Sequence, residues 1–228
     1  MKWWENILGI FYQPSKVFEG MKQKPQWLVP LIVSILVALL VAVIILKPIV
    51  FPEQIARLNA NPDIPPEAKE RAIEQMDGTM AYVFGVGAAA VAQPLSMLAI
   101  AVLFWGIFTM LGGKAAFAGM FAVTAWAGLI SIPGSIVKVP LMFIQETIKV
   151  HTSLALILPH EMEESFVFRL LSQIDVFTLW MLFVMAAGYS VFSGLERKKS
   201  YTAVFAVWGV WALIAAALGG MFKFGGMG

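Results

Sequence analysis

The chain has 228 residues, of which 60% are hydrophobic and 13% charged, where soluble domains run at roughly 45–50% and 25%. A formal charge of +2 with no basic stripe excludes nucleic acid as a partner. The absence of cysteine excludes disulfides, thiolate metal sites and a cysteine nucleophile. So much apolar surface needs lipid as its solvent. The expected fold is an all-α integral membrane bundle of five transmembrane helices.

Residues 1–26 form an N-terminal segment. In it Trp3, Trp4, Ile7, Leu8 and Phe11 recur at the spacing of one helical face. Lysines and tryptophans flank that face, as in an amphipathic helix lying in the membrane interface. Packing against the bundle is the alternative. Pro14 interrupts the helix, and Val17, Phe18 and Met21 continue an apolar side beyond it.

The membrane domain is expected over 27–222. Its first span, 27–46, starts too late for a cleaved signal peptide, has Pro30 in its first turn and should end at Lys47-Pro48. Residues 47–79 are polar, with a short charged helix over 67–76. The second span, 82–111, exceeds one straight crossing, and Gln93-Pro94 should kink it. Gly112-Gly113-Lys114 turns the chain into the third span, 116–137, which Ile132-Pro133-Gly134-Ser135 should break near its far end. The connector 138–174 holds an amphipathic helix over 140–149, an apolar run over 152–158 too short to span, and a helix that starts at 159 with acids in its first turn. Asp175 precedes the fourth span, 176–193, and Glu196-Arg197-Lys198-Lys199 follows it. The fifth span is 201–222, and 223–228 is a short glycine-rich tail.

An odd number of spans puts the ends on opposite sides. Lysines and arginines divide evenly between the sides, but one set sits in short segments, where positive charge sets orientation most strongly. That places the N-terminus in the cytoplasm, the C-terminus outside, and both long connectors with their short helices on the extracytoplasmic side.

The five spans contain no Asp, Glu, Lys, Arg or His. This argues against a proton-coupled pump and against an intramembrane protease using carboxylates, and no enzymatic activity is expected. Candidate positions are Gln93, Pro94, Pro133 and Gly134. Gln93 can bond across helices or meet a carbonyl freed by Pro94, and the backbone breaks could open carbonyls to a cation or a lipid headgroup. Lys138 and Asp175 fall at the same end of the bundle and form a candidate boundary pair, with Asp175 also suited to cap a helix. His151, His160, Glu161, Glu163 and Glu164 suggest a metal site only weakly, since acids at a helix start explain themselves; no metal and no cofactor are expected. Ala212, Ala216 and Gly220 make a small-residue stripe that suits either a homo-oligomer face or close packing within the bundle.

Four pieces of sequence occur in a telling order. They are Tyr12-Gln-Pro-Ser-Lys-Val-Phe18, Lys24-Pro-Gln-Trp-Leu-Val-Pro30, Thr152-Ser-Leu-Ala-Leu-Ile-Leu-Pro159, and Ile174-Asp-Val-Phe-Thr-Leu-Trp180 followed by Gly188. Together they resemble the bacterial branch of the Yip family, the Rab-GTPase-interacting membrane proteins. The signature residues are Pro14, Phe18, Pro25, Pro30, Asp175, Phe177, Trp180 and Gly188. The resemblance implies a five-helix bundle with a cytosolic N-terminus, here in a bacterial inner membrane, and a role in membrane shaping. Eukaryotic members carry a longer N-terminal region with a tyrosine-glycine-proline motif that this chain lacks, so Rab binding does not carry over. The expected function is a non-enzymatic membrane-organising or partner-binding scaffold, with the lipid bilayer and a membrane protein as partners. The alternative is a transporter or channel component for a small solute, ion or lipid, using the broken second and third spans.

Overall fold

The computed structural model describes residues 3–150 and 152–224, the side chains of Trp3, His160 and 220–224 excepted. Lys2, His151 and residues 225–228 of the tail lie outside the described residues. The structure is helical throughout. Its elements are α1 (Trp3–Tyr12), α2 (Pro14–Met21), α3 (Leu28–Ile45), α4 (Phe51–Ala60), α5 (Pro66–Asp77), α6 (Thr79–Met110), α7 (Phe117–Gly128), α8 (Ser131–Gln145), α9 (Phe166–Ser172), α10 (Val176–Ser193) and α11 (Arg197–Phe224). Among the described residues, five helical stretches are long and apolar enough to cross a membrane, in line with the composition.

Two of these stretches run further than the sequence suggests. The first does not end at Lys47-Pro48. A π-helical turn over Leu46–Val50 joins α3 to α4, and one helical rod reaches from Leu28 to Ala60. Proline has no N–H to give the helical ladder, and its ring collides with the carbonyl four residues back. The wider π turn accommodates Pro48, and Pro52 then falls in the opening turn of α4, where no N–H is needed. The third stretch breaks at Leu129–Ile130, before Ile132-Pro133 rather than at it, and α8 continues through Pro140 to Gln145. It thereby absorbs the amphipathic helix expected at 140–149. Glu146 ends it in the left-handed conformation at φ 52°. The basic run Arg197–Lys199 is likewise the first turn of α11 rather than a loop. In the second connector, 3-10 turns occupy Leu154–Ile157 and His160–Met162, and α9 starts only after Ser165, whose hydroxyl accepts the Phe168 N–H.

Helix α7 is the centre of the bundle. Its residues 119–127 are buried except at Phe121, which is half-buried. It is apolar on every side because it meets protein on every side. Glycines let its neighbours close in. A side chain at Gly119 would strike Phe192, and one at Gly188 would lie 2.7 Å from both Phe18 and Val123. Cross-helix hydrogen bonds run through this core, 2.8 Å between the hydroxyls of Thr124 and Tyr189 and 2.7 Å from the Ser200 hydroxyl to the Ala186 carbonyl. Helices α3, α6 and α11 form the outer wall and keep large apolar side chains such as Leu36, Leu103 and Trp211 exposed, as lipid-facing helices do.

The N-terminal helices pack into this bundle. Ile10, Val17, Phe18 and Met21 join its core. In α1, Asn6 and Ile10 turn inward, Ile7 and Phe11 flank them, and Trp4 and Leu8 face out, so the face marked by the tryptophan spacing is only partly turned to the bundle. An apolar helix seated on a lipid-bathed bundle has apolar neighbours on both sides, so periodicity does not say which side is protein.

Helix lengths set the overall form. The turn after α6 is tied to the end of α10 by the Lys114 N–H donating to the Ser193 carbonyl at 3.0 Å. From there α10 runs 18 residues and α6 runs 32, or about 27 Å and 48 Å. Helix α6 therefore overshoots the start of α10. The first rod accompanies it, with the Tyr82 hydroxyl donating to the Val43 carbonyl at 3.3 Å.

Candidate functional site

The start of α10 gathers a cluster of polar side chains around Asp175. Asp175 is extended at ψ 142°, and its Oδ1 accepts the backbone N–H of Phe177 at 2.9 Å and of Thr178 at 3.3 Å, capping the helix. Its Oδ2 accepts the Thr152 hydroxyl and lies 3.3 Å from the Lys138 ammonium. Asp175 is 5% exposed. Burial pushes its carboxyl upward, but the Thr152 hydroxyl, the Lys138 charge and the Phe177 N–H together hold it below the usual aspartate range.

Each partner has a local reason to be there. Gly134 and Lys138 are four residues apart and share a face of α8. A side chain at Gly134 would press to 3.3 Å on the Phe177 ring, so its absence lets α8 close on α10 and bring Lys138 to Asp175. The apolar run 152–158, too short to cross a bilayer, folds back on this point. Ser153 and Asp175 form an isolated antiparallel bridge, and the Leu154 N–H donates to the Ile174 carbonyl at 3.0 Å.

Beside this cluster lies a cavity of about 640 Å³, a volume typical of small-molecule sites. Its wall is largely apolar: Ile100, Leu103 and Phe104 from α6, Leu182 and Met185 from α10, and Trp208 from α11. Lys138, Thr152, Ser153, Gln173 and Asp175 close one end with polar groups. Ile100, Leu103 and Trp211 line the cavity and are also exposed on the outer surface. The space is thus open beside α6 and α11. Ser153 is 7% exposed, and its hydroxyl has no hydrogen-bond partner among the described residues.

Of the other candidate residues, Gly134 belongs to the Asp175 cluster through its contact with Phe177. Gln93, Pro94, Pro133 and Gly134 are not among the residues lining the cavity. Beside Pro94, inside the continuous helix α6, the Ser96 hydroxyl donates to the Gln93 carbonyl at 2.8 Å. Ala212 and Ala216 are buried inside the chain. Arg169 of α9 lies across that end of α11, its Nε donating to the Ala216 carbonyl at 2.8 Å and its side chain passing over Gly219. Ala212 and Ala216 are thus packed within the chain; the surroundings of Gly220 lie outside the described residues. No group of three metal-ligating side chains occurs among the described residues, and His151 is outside them.

Three of the four sequence pieces meet: Phe18 lies on Gly188, and the Thr152 hydroxyl donates to Asp175. Phe177 packs on Gly134, and the Trp180 ring stands 5.8 Å from Phe11. Pro14 opens α2, Pro30 is buried in the first turn of α3, and Pro25 lies in the connector between them. The family model described as the Yip1 domain matches residues 8–221. This chain belongs to the Yip1-domain family. No curated protein and no solved structure matches it. As a Yip1-domain protein it is an integral membrane protein, and the match takes in both N-terminal helices' core contacts, the Asp175 cluster and the cavity.

Thr152 and Ser153 are the part of the site that residue patterns miss. Two hydroxyls before a short apolar run look like ordinary loop chemistry. The usable signal is the length of the run: an apolar segment too short to span has to lie along something, and here Ser153 and Ala155 are buried against the start of a span while Leu154, Leu156 and Ile157 stay exposed.

Proposed function

We propose that this Yip1-domain protein is a non-enzymatic membrane organiser that takes individual lipid molecules from the bilayer into its lateral cavity. The observation that carries the reading is the cavity's form, an apolar wall open beside α6 and α11 with its polar groups collected at one end. An acyl chain matches the wall, and a headgroup matches the end at the membrane boundary. Helix α1 adds a second lipid contact through Trp4, Leu8 and Tyr12, which are exposed on its outward face. The protein sits in a bacterial inner membrane with its N-terminus in the cytoplasm, so the polar end of the cavity faces the outer leaflet.

The test is the lipid content of the purified protein. Ala99 lies on α6 in the cavity wall and is exposed, so Ala99→Trp fills the cavity without entering the packed core. Native mass spectrometry should find lipid retained by the wild type and lost from Ala99→Trp. Equal retention by both would remove the cavity as the lipid site. Reporter fusions after Gly228 and in the 195–199 segment check the orientation; activity of a cytoplasmic reporter at Gly228 would reverse it.

A further inference from the structure

The hydrogen-bonding capacity of the polar end identifies the headgroup, given the lipid-binding reading above. An ionised carboxylate offers about four acceptor positions. Asp175 has filled them, with the Phe177 and Thr178 N–H groups on Oδ1 and the Thr152 hydroxyl and Lys138 ammonium on Oδ2. It has no capacity left for a cationic or donor-rich head. The donors beside it are in surplus. Lys138 carries three N–H bonds, meets one partner among the described residues, and keeps a third of its side chain exposed at the cavity. Ser153 adds a buried hydroxyl with no partner among the described residues, a condition costly enough that such groups usually await a ligand or water.

Charge points the same way. Lys138 and Asp175 cancel, and the N-terminus of α10 contributes a partial positive charge of about half a unit. The polar end therefore accepts a negative group despite the aspartate in it.

We infer that the cavity selects a lipid with an oxyanion head, a phosphate or carboxylate held by the Lys138 ammonium and the Ser153 hydroxyl, with one acyl chain along the α6–α11 wall. Asp175 is a positioning residue that aims Lys138. Selectivity comes from the two donors; the chain supplies affinity without discrimination. Lipids of the same tails with no oxyanion enter the wall but leave both donors unmatched.

The experiment uses the full chain, stripped of lipid in mild detergent, with three added probes: dioleoylphosphatidylglycerol, oleic acid and dioleoylglycerol. The first two carry a phosphate and a carboxylate, and the third carries neither. Retention is read by native mass spectrometry. The wild type should hold the phosphate or the carboxylate probe about tenfold more tightly than dioleoylglycerol, the margin of one charge-assisted hydrogen bond. Which of the two it prefers names the source of the head. Ser153→Ala should lower oxyanion-lipid retention several-fold without lowering stability, because it removes an unpaired buried hydroxyl. Lys138→Gln should abolish the preference and Lys138→Arg restore most of it. Equal retention of all three probes, or a preference untouched by both Ser153→Ala and Lys138→Gln, would overturn the headgroup assignment and leave cavity binding intact. Retention that ignores Ala99→Trp would instead remove the cavity reading itself.

Discussion

Replacing Asp175 separates its jobs. Asparagine at 175 keeps a side-chain oxygen for the Phe177 and Thr178 N–H groups and removes the charge that faces Lys138. Alanine removes both. The cap is worth about 1 kcal/mol, the usual loss when a capping side chain is truncated to alanine. The ion pair is intermediate between surface and interior, with the Asp175 side chain 7% exposed and that of Lys138 33% exposed. A coupling of about 1–2 kcal/mol follows, above the range for fully exposed pairs and below the cost of breaking a wholly buried one. The measurement is unfolding by sodium dodecyl sulfate in mixed micelles, followed by tryptophan fluorescence, on Asp175→Asn, Lys138→Gln and the double variant. The double variant should be less destabilised than the sum of the singles by that coupling. Strict additivity would refute the pair, and Asp175→Asn as damaging as Asp175→Ala would refute the division between cap and charge. The pH dependence has a fixed sign. A carboxyl held below its ordinary value stabilises the fold above that value, about 3.9 for aspartate, and loses the contribution as pH falls through its lower folded value. The advantage of wild type over Asp175→Asn should therefore be flat across neutral pH and shrink only below about pH 3.9.

Two glycines in helices make a paired test. Gly188→Ala forces a methyl against Val123 and Phe18 and should cost about 1–3 kcal/mol of overpacking, only partly offset by better helix propensity. Gly209→Ala, with open space around it, should be neutral or stabilising by up to about 1 kcal/mol in the same micelle titration; the reverse order would contradict the packing at α10. Tyr189→Phe should cost only about 0.6 kcal/mol, because the Thr124 hydroxyl keeps its bond to the Met120 carbonyl; a loss of several kcal/mol would show the pair to be a keystone of the core. Glu53 of α4 accepts the Thr147 hydroxyl and the Ile148 N–H and so ties down the segment leading to the cavity rim. Glu53→Ala should speed amide exchange at Ile148 by about tenfold, the equivalent of about 1.4 kcal/mol, and unchanged exchange would show the tie to be idle.

Elements with a chemical stop at each end were readable from residues alone. Helix α10 occupies 176–193 as expected because Asp175 caps its start and Gly194, at φ 73°, closes its end. Residue topology puts Lys138 and Asp175 at one end of the bundle, and they stand 3.3 Å apart. Proline misled twice. Pro48 and Pro133 look like stops in a regular α-helical ladder, yet a π turn accommodates one, and the other falls in the first turn of α8, after a break at Leu129–Ile130. The inward face of α1 was illegible for a different reason: in lipid, burial and exposure both favour apolar residues, so the alternation that marks a core in water is absent. The cavity was out of reach because its wall comes from three separate spans and its rim from Thr152 and Ser153, whose proximity to Lys138 no spacing announces.

The mismatch between the two helices pinned together at Ser193 and Lys114 has a mechanical consequence. Fourteen more residues in α6 than in α10 amount to about 20 Å of extra rod. With the first rod alongside and α5 against it, that surplus is a stiff paired extension beyond the start of α10. How far it reaches past Asp175 is a length written into the chain.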